Sequence, residues 1–403
     1  MKNFGRILLR LLLALVGLIA IILIYAFLAY PAEYVRRVLL WQNSDVFDYQ
    51  KFPERPLKNG SSTFYFTEAL DEAKVRAVFE TNPTIDHLDT FLANNHTQAF
   101  IVIQNDRILY EKYFNGIKRD SIVTSFSMAK SFTSALIGIA IQEGYIQSVN
   151  DPITNYLPEL RDRDPDFGKI TIRDLLMMSS GIKYAEFPFL NGDDAKTYYY
   201  PDLRRLALAQ TRIVDPPGKQ FLYNNYHPLL LGLILERATG IPVANYLQEK
   251  IWKPLEMEFP GSWSLDHEGG FEKMESGINA RAIDFAKFGR LFLNKGNWEG
   301  VQEIPAAWVA ESTQEDRSIN RVTYYPDNEF FMAMNGYYKY MWWGMRRGEK
   351  DYDFMARGDH GQYIYVSPYK NLIIVRIGEQ FGIDRNEWLR IFYQFASDID
   401  SVP

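Results

Sequence analysis

The stretch TSFSMAKSF, Thr124 to Phe132, decides how the rest of this 403-residue chain is read. Ser127 and Lys130 stand three apart, which places both side chains on one face of a helix and lets the amine reach the hydroxyl. From Ser127 to Glu143 the residues are apolar at helical spacing, and Gly144 supplies a stop. At a helix start, free N–H groups and the macrodipole favour a developing anion on a serine. Lysine is a base only when neutral, and the apolar neighbours Met128, Ala129 and Phe132 offer the burial that lowers its pKa. The plainer alternative is a serine N-cap with no chemistry.

The same Ser-x-x-Lys spacing recurs at Ser180–Lys183 and Ser367–Lys370. The former straddles a glycine helix stop, where the dipole opposes a nucleophile, and the latter sits in a hairpin turn. Only Ser127 opens a long apolar helix. A second element is PPGKQFLYNNYHPLLLGLILERATG, which puts Tyr223 and Asn225 in an irregular segment before a buried helix. A phenolate near a lysine ammonium can shuttle the serine proton, and an Asn225 amide can bind a substrate carbonyl. Tyr113–Asn115 and Tyr369–Asn371 match Tyr-x-Asn too, but turn chemistry explains both.

Outward from these, QAFIVIQND and RILYEKYFNG read as a hairpin turning at Asn105-Asp106. ITIRDLLMMSSG, HPLLLGLILERATG and ARAIDFAKFGRLFLNKG read as helices ending at Gly181, Gly240 and Gly296. GQYIYVSPYKNLIIVRIG reads as two strands joined at Ser367-Pro368, followed by a last helix in RNEWLRIFYQFASDI. If the two β-rich ends pair into one sheet, the central helical region is an inserted subdomain, with the pocket between the parts.

With 47% hydrophobic residues the chain can bury a large core, and a net charge of -6 without a Lys/Arg block gives no footprint for nucleic acid. The absence of cysteine rules out thiol catalysis, disulfides and thiolate metal sites. Leu11 to Tyr30 is an apolar run long enough for the ~30 Å hydrocarbon layer and too long for a cleaved signal peptide. It reads as an uncleaved anchor. Lys2, Arg6 and Arg10 before it outnumber Arg36 and Arg37 after it, so residues 1–10 are expected in the cytoplasm and the folded domain on the far side. Residues 31–95, with the Pro-rich KFPERPLKNG, read as a connector without chemistry.

SMAK at 127–130, YNN at 223–225 and ARGDHGQYIYV resemble, in order and spacing, the serine hydrolases of the class C β-lactamase and penicillin-recognising family. The likeness spans roughly residues 100–378 and within that family leans toward the esterase and 6-aminohexanoate-dimer hydrolase branch. It implies an α/β (α+β) fold for residues 96–403: a central antiparallel sheet flanked by helices, with a mostly helical inserted subdomain at about 145–300. It implies Ser127 as acylated nucleophile, Lys130 as its hydrogen-bonded base partner, Tyr223 as general base and acid, and Asn225 as a substrate or lysine contact. It further implies an oxyanion hole from the N–H groups of Ser127 and of a residue beside Gly361, taken as Gln362, with His360 and Gly361 on the substrate side. No cofactor or metal is called for.

One departure concerns substrate. Penicillin-recognising members carry Lys-Thr-Gly where this chain is aligned to Asp359-His360-Gly361. An inward Asp359 would repel a carboxylate, which favours esters, amides or short peptides lacking that group, although Arg357 could compensate. β-Lactamase or D-amino-acid peptidase activity is therefore the second choice, and a noncatalytic peptidoglycan- or partner-binding protein the rival class. No Gly-x-Ser-x-Gly is present for a nucleophile elbow. His87, His96, His227 and His267 read as packing or surface residues, and neither HEGGF nor DRDPDFG completes a metal site. Trp342-Trp343 reads as packing that could wall the cleft.

Overall fold

The computed structural model describes residues 2–188 and 190–401, so Met1, Phe189 and the last two residues of the expected hydrolase domain lie outside the described residues. Eight strands form the large sheet: β1 (Thr67–Glu68), β2 (Thr97–Gln104), β3 (Arg107–Tyr113), β4 (Gly336–Lys339), β5 (Trp342–Arg346), β6 (Tyr352–Gly358), β7 (Gln362–Ser367) and β8 (Leu372–Gly378). Their order is β4-β5-β6-β7-β8-β2-β3-β1, antiparallel except for the β1–β3 edge. The two β-rich ends of the chain thus meet at β8–β2, with Ile374 opposite Val102. The β2–β3 hairpin turns at Asn105 and Asp106, both at positive φ (54° and 59°), as the Asn-Asp pair predicts.

Period-two alternation divides the sheet's faces between two apolar cores. Phe100, Val102 and Ile374 pack with Val75, Val78, Trp388 and Phe392, on the side of the C-terminal helix. Ile101, Ile103, Ile373 and Val375 pack with Phe132, Phe288 and Phe292 on the other. Because helices cover both faces, β8 is buried at every position and reads as an apolar run interrupted only by the buried Arg376.

Seven helices matter below: α1 (Lys2–Ala29), α2 (Ala32–Trp41), α3 (Ala129–Gln142), α4 (Asp193–Tyr199), α5 (Tyr226–Thr239), α6 (Ala282–Leu293) and α7 (Arg385–Asp398). The stops after α3 and α5 fall at Gly144 and Gly240, with φ of 78° and 74°. α1 includes 26 residues, Phe4–Ala29, long and apolar enough by composition to cross a membrane.

Two stretches are more structured than their composition suggests. Gly261–Ser264 and Ile278–Ala280 lie within the expected helical subdomain but form a second, four-stranded sheet with Glu54–Leu57 and Val123–Thr124. Strands of two to four residues leave no readable alternation. Residues 31–95, read as a connector, supply α2, the outer strand Glu54–Leu57 and the helices Glu72–Phe79 and Leu88–Asn94. Pro56 is tolerated there because Glu54–Leu57 is an edge strand.

Candidate active site

The chain reaches Ser127 through a tight bend. Phe126, a non-glycine residue at φ 42°, begins a 3-10 turn over Phe126–Met128, and α3 proper starts at Ala129. So unusual a backbone needs support. Ser125 provides it: its N–H donates to Ile278 O (2.8 Å), its Oγ accepts from Ile278 N (3.1 Å), and its hydroxyl donates to Phe126 O (3.0 Å). Ser127 is thereby held at the mouth of α3 with its hydroxyl in a cleft.

Lys130, one turn along α3, is 1% exposed. Its Nζ lies 2.8 Å from Ser127 Oγ and 2.8 Å from the Glu275 carbonyl oxygen, to which it donates. Burial drives its pKa down to about 7, against the smaller opposing pull of the Glu275, Asp194 and Asp359 carboxylates. Glu275 is fixed in turn by the buried Lys273, 2.9 Å from its carboxylate. The Tyr223 ring packs 5.1 Å from Lys130 Nζ. Its phenol is pushed up to about 12 by burial, and the facing Ser127 hydroxyl and Arg357 only partly offset that. At neutral pH the lysine can therefore be a free base while the tyrosine is an acid.

The competing Ser-x-x-Lys pairs are spent elsewhere. Ser180 Oγ is bonded to the buried His227 Nε2 (2.6 Å), whose burial lowers its pKa to about 3, and Lys183 is exposed. Ser367 is wholly buried, and Lys370 pairs with Asp400 at 2.8 Å.

Asn225 lies in the cleft, but its amide points the other way from the expected role. Nδ2 donates to Tyr184 Oη (2.8 Å) and Asp194 Oδ1 (3.2 Å), which leaves the buried Oδ1 without a donor among the described residues. Asn225 thus offers the cleft an acceptor rather than N–H groups for a carbonyl. Asp194, whose carboxyl burial pushes up, sits beside it, in the loop and helix that follow KYAEFPFLNG. No local motif marked Asp194, Glu186 or Glu275.

The third segment needs a correction of register. A Cβ on Gly358 would lie 2.4 Å from Ser125 O and 3.1 Å from Phe126 Cβ, so Gly358 is where β6 passes the serine turn. Arg357, Gly358 and Asp359 line the cleft with Ser127, His360 lines its other half, and Gly361 lines neither. Gly361 is buried in the β6–β7 turn at φ 83°, and its carbonyl accepts from Arg376 (2.7 Å). Gln362 donates its backbone N–H to Asp359 O and its side-chain amide to Gly378 O (2.6 Å). Neither group is left for a substrate, because Gln362 begins β7 and is fully buried. His360 does line the cleft; its ring packs on Phe126 (4.8 Å between centroids) and its Nδ1 lies 3.0 Å from Glu379 O.

The cleft has two halves that share Ser127, Glu186, Asp194, Asn225 and Asp359. One half is walled by α4 and by Gln42, Asn43 and Ser44. The other contains Arg357, Arg385, Tyr325 and Trp343, whereas Trp342 is core. Arg357 has no hydrogen-bond or ion-pair partner among the described residues and stacks 4.6 Å from the Trp343 ring. The Asp359 carboxylate is exposed and accepts from its own turn at His360 N (2.9 Å).

Comparison with known proteins agrees with this geometry. The β-lactamase family profile matches residues 86–386, well over half of the chain. The 6-aminohexanoate-dimer hydrolase of Paenarthrobacter ureafaciens is 27% identical over 322 residues, 75% of this chain and 77% of that protein. The teichoic acid D-alanine hydrolase of Staphylococcus aureus is 25% identical over 202 residues, 47% of this chain and 48% of that one. Among solved structures, a Bacillus anthracis protein provisionally named a 6-aminohexanoate-dimer hydrolase superposes with TM-score 0.75 at 24% identity, covering 89% of this chain and 95% of its own. A class C β-lactamase in complex with cefoxitin superposes with TM-score 0.59 at 14% identity, covering 82% and 100%. The profile match over residues 86–386 places the chain in the β-lactamase family, and the fold agrees.

Proposed function

We propose that this protein is a membrane-anchored serine hydrolase that cleaves an ester or amide through an acyl-enzyme on Ser127. The observation that carries the reading is the 2.8 Å contact between Ser127 Oγ and a lysine 1% exposed, with a pKa near neutrality. In its neutral form Lys130 takes the Ser127 proton as Oγ bonds to the substrate carbonyl carbon. The Tyr223 phenol gives its proton to the departing amine or alkoxide and is restored from the Lys130 ammonium. Water then attacks the acyl-enzyme, losing its proton to the same pair and releasing the acid and Ser127. The corrected register nominates the backbone N–H groups of Ser127 and Asp359, on either side of the Gly358 approach, as donors to the oxyanion. The two named relatives, a 6-aminohexanoate-dimer hydrolase and a teichoic acid D-alanine hydrolase, support an amino-acid ester or amide as substrate.

α1 serves as the single-pass anchor, with residues 1–10 cytoplasmic and the hydrolase domain, 96–403, outside. Hydrolysis of a soluble p-nitrophenyl ester tests the catalytic reading: Ser127→Ala is expected to bring turnover to background, and wild-type turnover in that variant would remove Ser127 as nucleophile. A second reading, peptidase or β-lactamase activity on carboxylate-bearing substrates, is favoured by the unpaired Arg357 guanidinium in the cleft.

A further inference from the structure

The site and the apolar N-terminal helix are mechanically joined. The last turn of α1 touches the domain through Ala26, 2% exposed, while Phe27 and Leu28 remain 49% and 83% exposed. Directly beyond it, Tyr30 Oη donates to Asn191 Oδ1 (2.6 Å) and Tyr34 Oη to Leu190 O (2.8 Å), both in the loop that carries Glu186 and Phe187 into the cleft. α2 then packs on α4: Arg37 donates to Tyr199 O (3.2 Å) and to Asp266 O (2.8 Å). α4 contributes Asp194, Ala195, Tyr198 and Tyr199 to the cleft, and the chain leaving α2 contributes Gln42, Asn43 and Ser44. A ten-residue helix spans only about 15 Å, so the cleft rim cannot lie far from the end of α1.

The opposite face of α2 is exposed. Arg36, Leu39 and Leu40 lie three and four apart on one side of the helix, and Leu39 and Leu40 are 47% and 66% exposed. Phe187, at the cleft rim, is 76% exposed. Arg36, ion-paired with Glu33 one turn back (2.7 Å), beside two exposed leucines and continuous with a bilayer-length helix, fits the headgroup boundary of a lipid bilayer.

We propose that this face of α2 lies in the bilayer interface, so that the cleft draws its substrate from the membrane surface: an ester or amide carried on a lipid or other amphiphile. The proposal rests on α1 as a membrane span and on Ser127 as nucleophile, and its two arms separate those premises.

In the first arm the full chain is reconstituted into phosphatidylethanolamine/phosphatidylglycerol vesicles. Because the sequence lacks cysteine, Leu40→Cys and, as a control at the far end of the sheet, Tyr369→Cys each give a unique fluorophore site. The Leu40 label is expected to be quenched by brominated lipid and to be at least about five-fold less accessible to aqueous iodide than the Tyr369 label. Equal iodide access, or failure of the protein to remain with the vesicles, overturns the proposal, and neither readout depends on catalysis.

In the second arm, Leu39→Gln combined with Leu40→Gln is expected to slow hydrolysis of a vesicle-borne long-chain ester about ten-fold and to leave a soluble short-chain ester within about two-fold of wild type. An unchanged ratio between the two esters overturns the membrane route. Absence of turnover on both esters in the wild type instead removes the hydrolase premise.

Discussion

Gly358 passes so close to Ser125 that an added Cβ would sit 2.4 Å from the serine's carbonyl oxygen. Strand β6 and the nucleophile turn are thus set by van der Waals contact, and the bend at Phe126 has no room to relax away. Gly358→Ala must push the strand and the turn apart. It is expected to lower kcat/KM on a soluble ester by roughly 100-fold, since a displacement of about 1 Å at reacting groups has that effect. The stability cost should be about 1–3 kcal/mol by denaturant titration. Near-wild-type turnover would mean that β6 takes no part in the reacting geometry.

Lys130 sets the pH dependence. Its conjugate acid has a pKa of about 7, lowered by burial, so the free base accumulates as pH rises through that value. The kcat/KM profile is expected to climb through about 7 and then level off. Lys130→Arg, which cannot lose its proton, should abolish turnover at every pH. The sign for stability follows from the same shift: the unfolded chain holds the extra proton between about 7 and 10.5, so the Lys130 contribution becomes more favourable as pH rises across that window. A rate profile flat from below this value upward would remove lysine as the base.

Arg357 offers a desolvated, unpaired guanidinium next to Trp343. Arg357→Leu keeps apolar contact with the rings of Phe330 and Trp343 and removes the charge. KM for a carboxylate-bearing ester is expected to rise about 10- to 100-fold, the worth of a charge-assisted hydrogen bond, with its neutral analogue little affected. Equal effects on both substrates would assign Arg357 to packing.

Gln362 belongs to the scaffold. Gln362→Ala should cost about 1–3 kcal/mol by leaving Gly378 O unsatisfied, and change turnover of a soluble ester by less than about three-fold. A selective loss of kcat in a fully stable variant would instead give the Gln362 side chain a part in the reaction.

The particular residues show what a sequence can and cannot disclose. Asn105-Asp106, Gly144 and Gly240 were readable because turns and helix ends demand backbone angles that few residues adopt. Ser127 was separable from Ser180 and Ser367 because only one of the three precedes a long apolar helix. Which part of the third segment approaches Ser127 was illegible because ARGDHG holds two glycines with different jobs. Gly358 permits a contact between chain segments, while Gly361 permits a left-handed turn, and only packing distinguishes them. The orientation of the Asn225 amide was likewise illegible, since it depends on Tyr184 and Asp194, which lie 41 and 31 residues away in sequence. The part played by α2 and Ser44 in the cleft escaped for the same reason: connector-like composition says nothing of what a segment packs against.

The central claim is that Ser127 is the residue acylated. The direct measurement is intact-mass analysis and peptide mapping of the folded full-length protein after exposure to a fluorophosphonate at pH 8, where Lys130 is mainly neutral. One adduct on the peptide carrying Ser127, absent from Ser127→Ala, is the expected result. An adduct on another serine, or none on folded protein, would contradict the assignment.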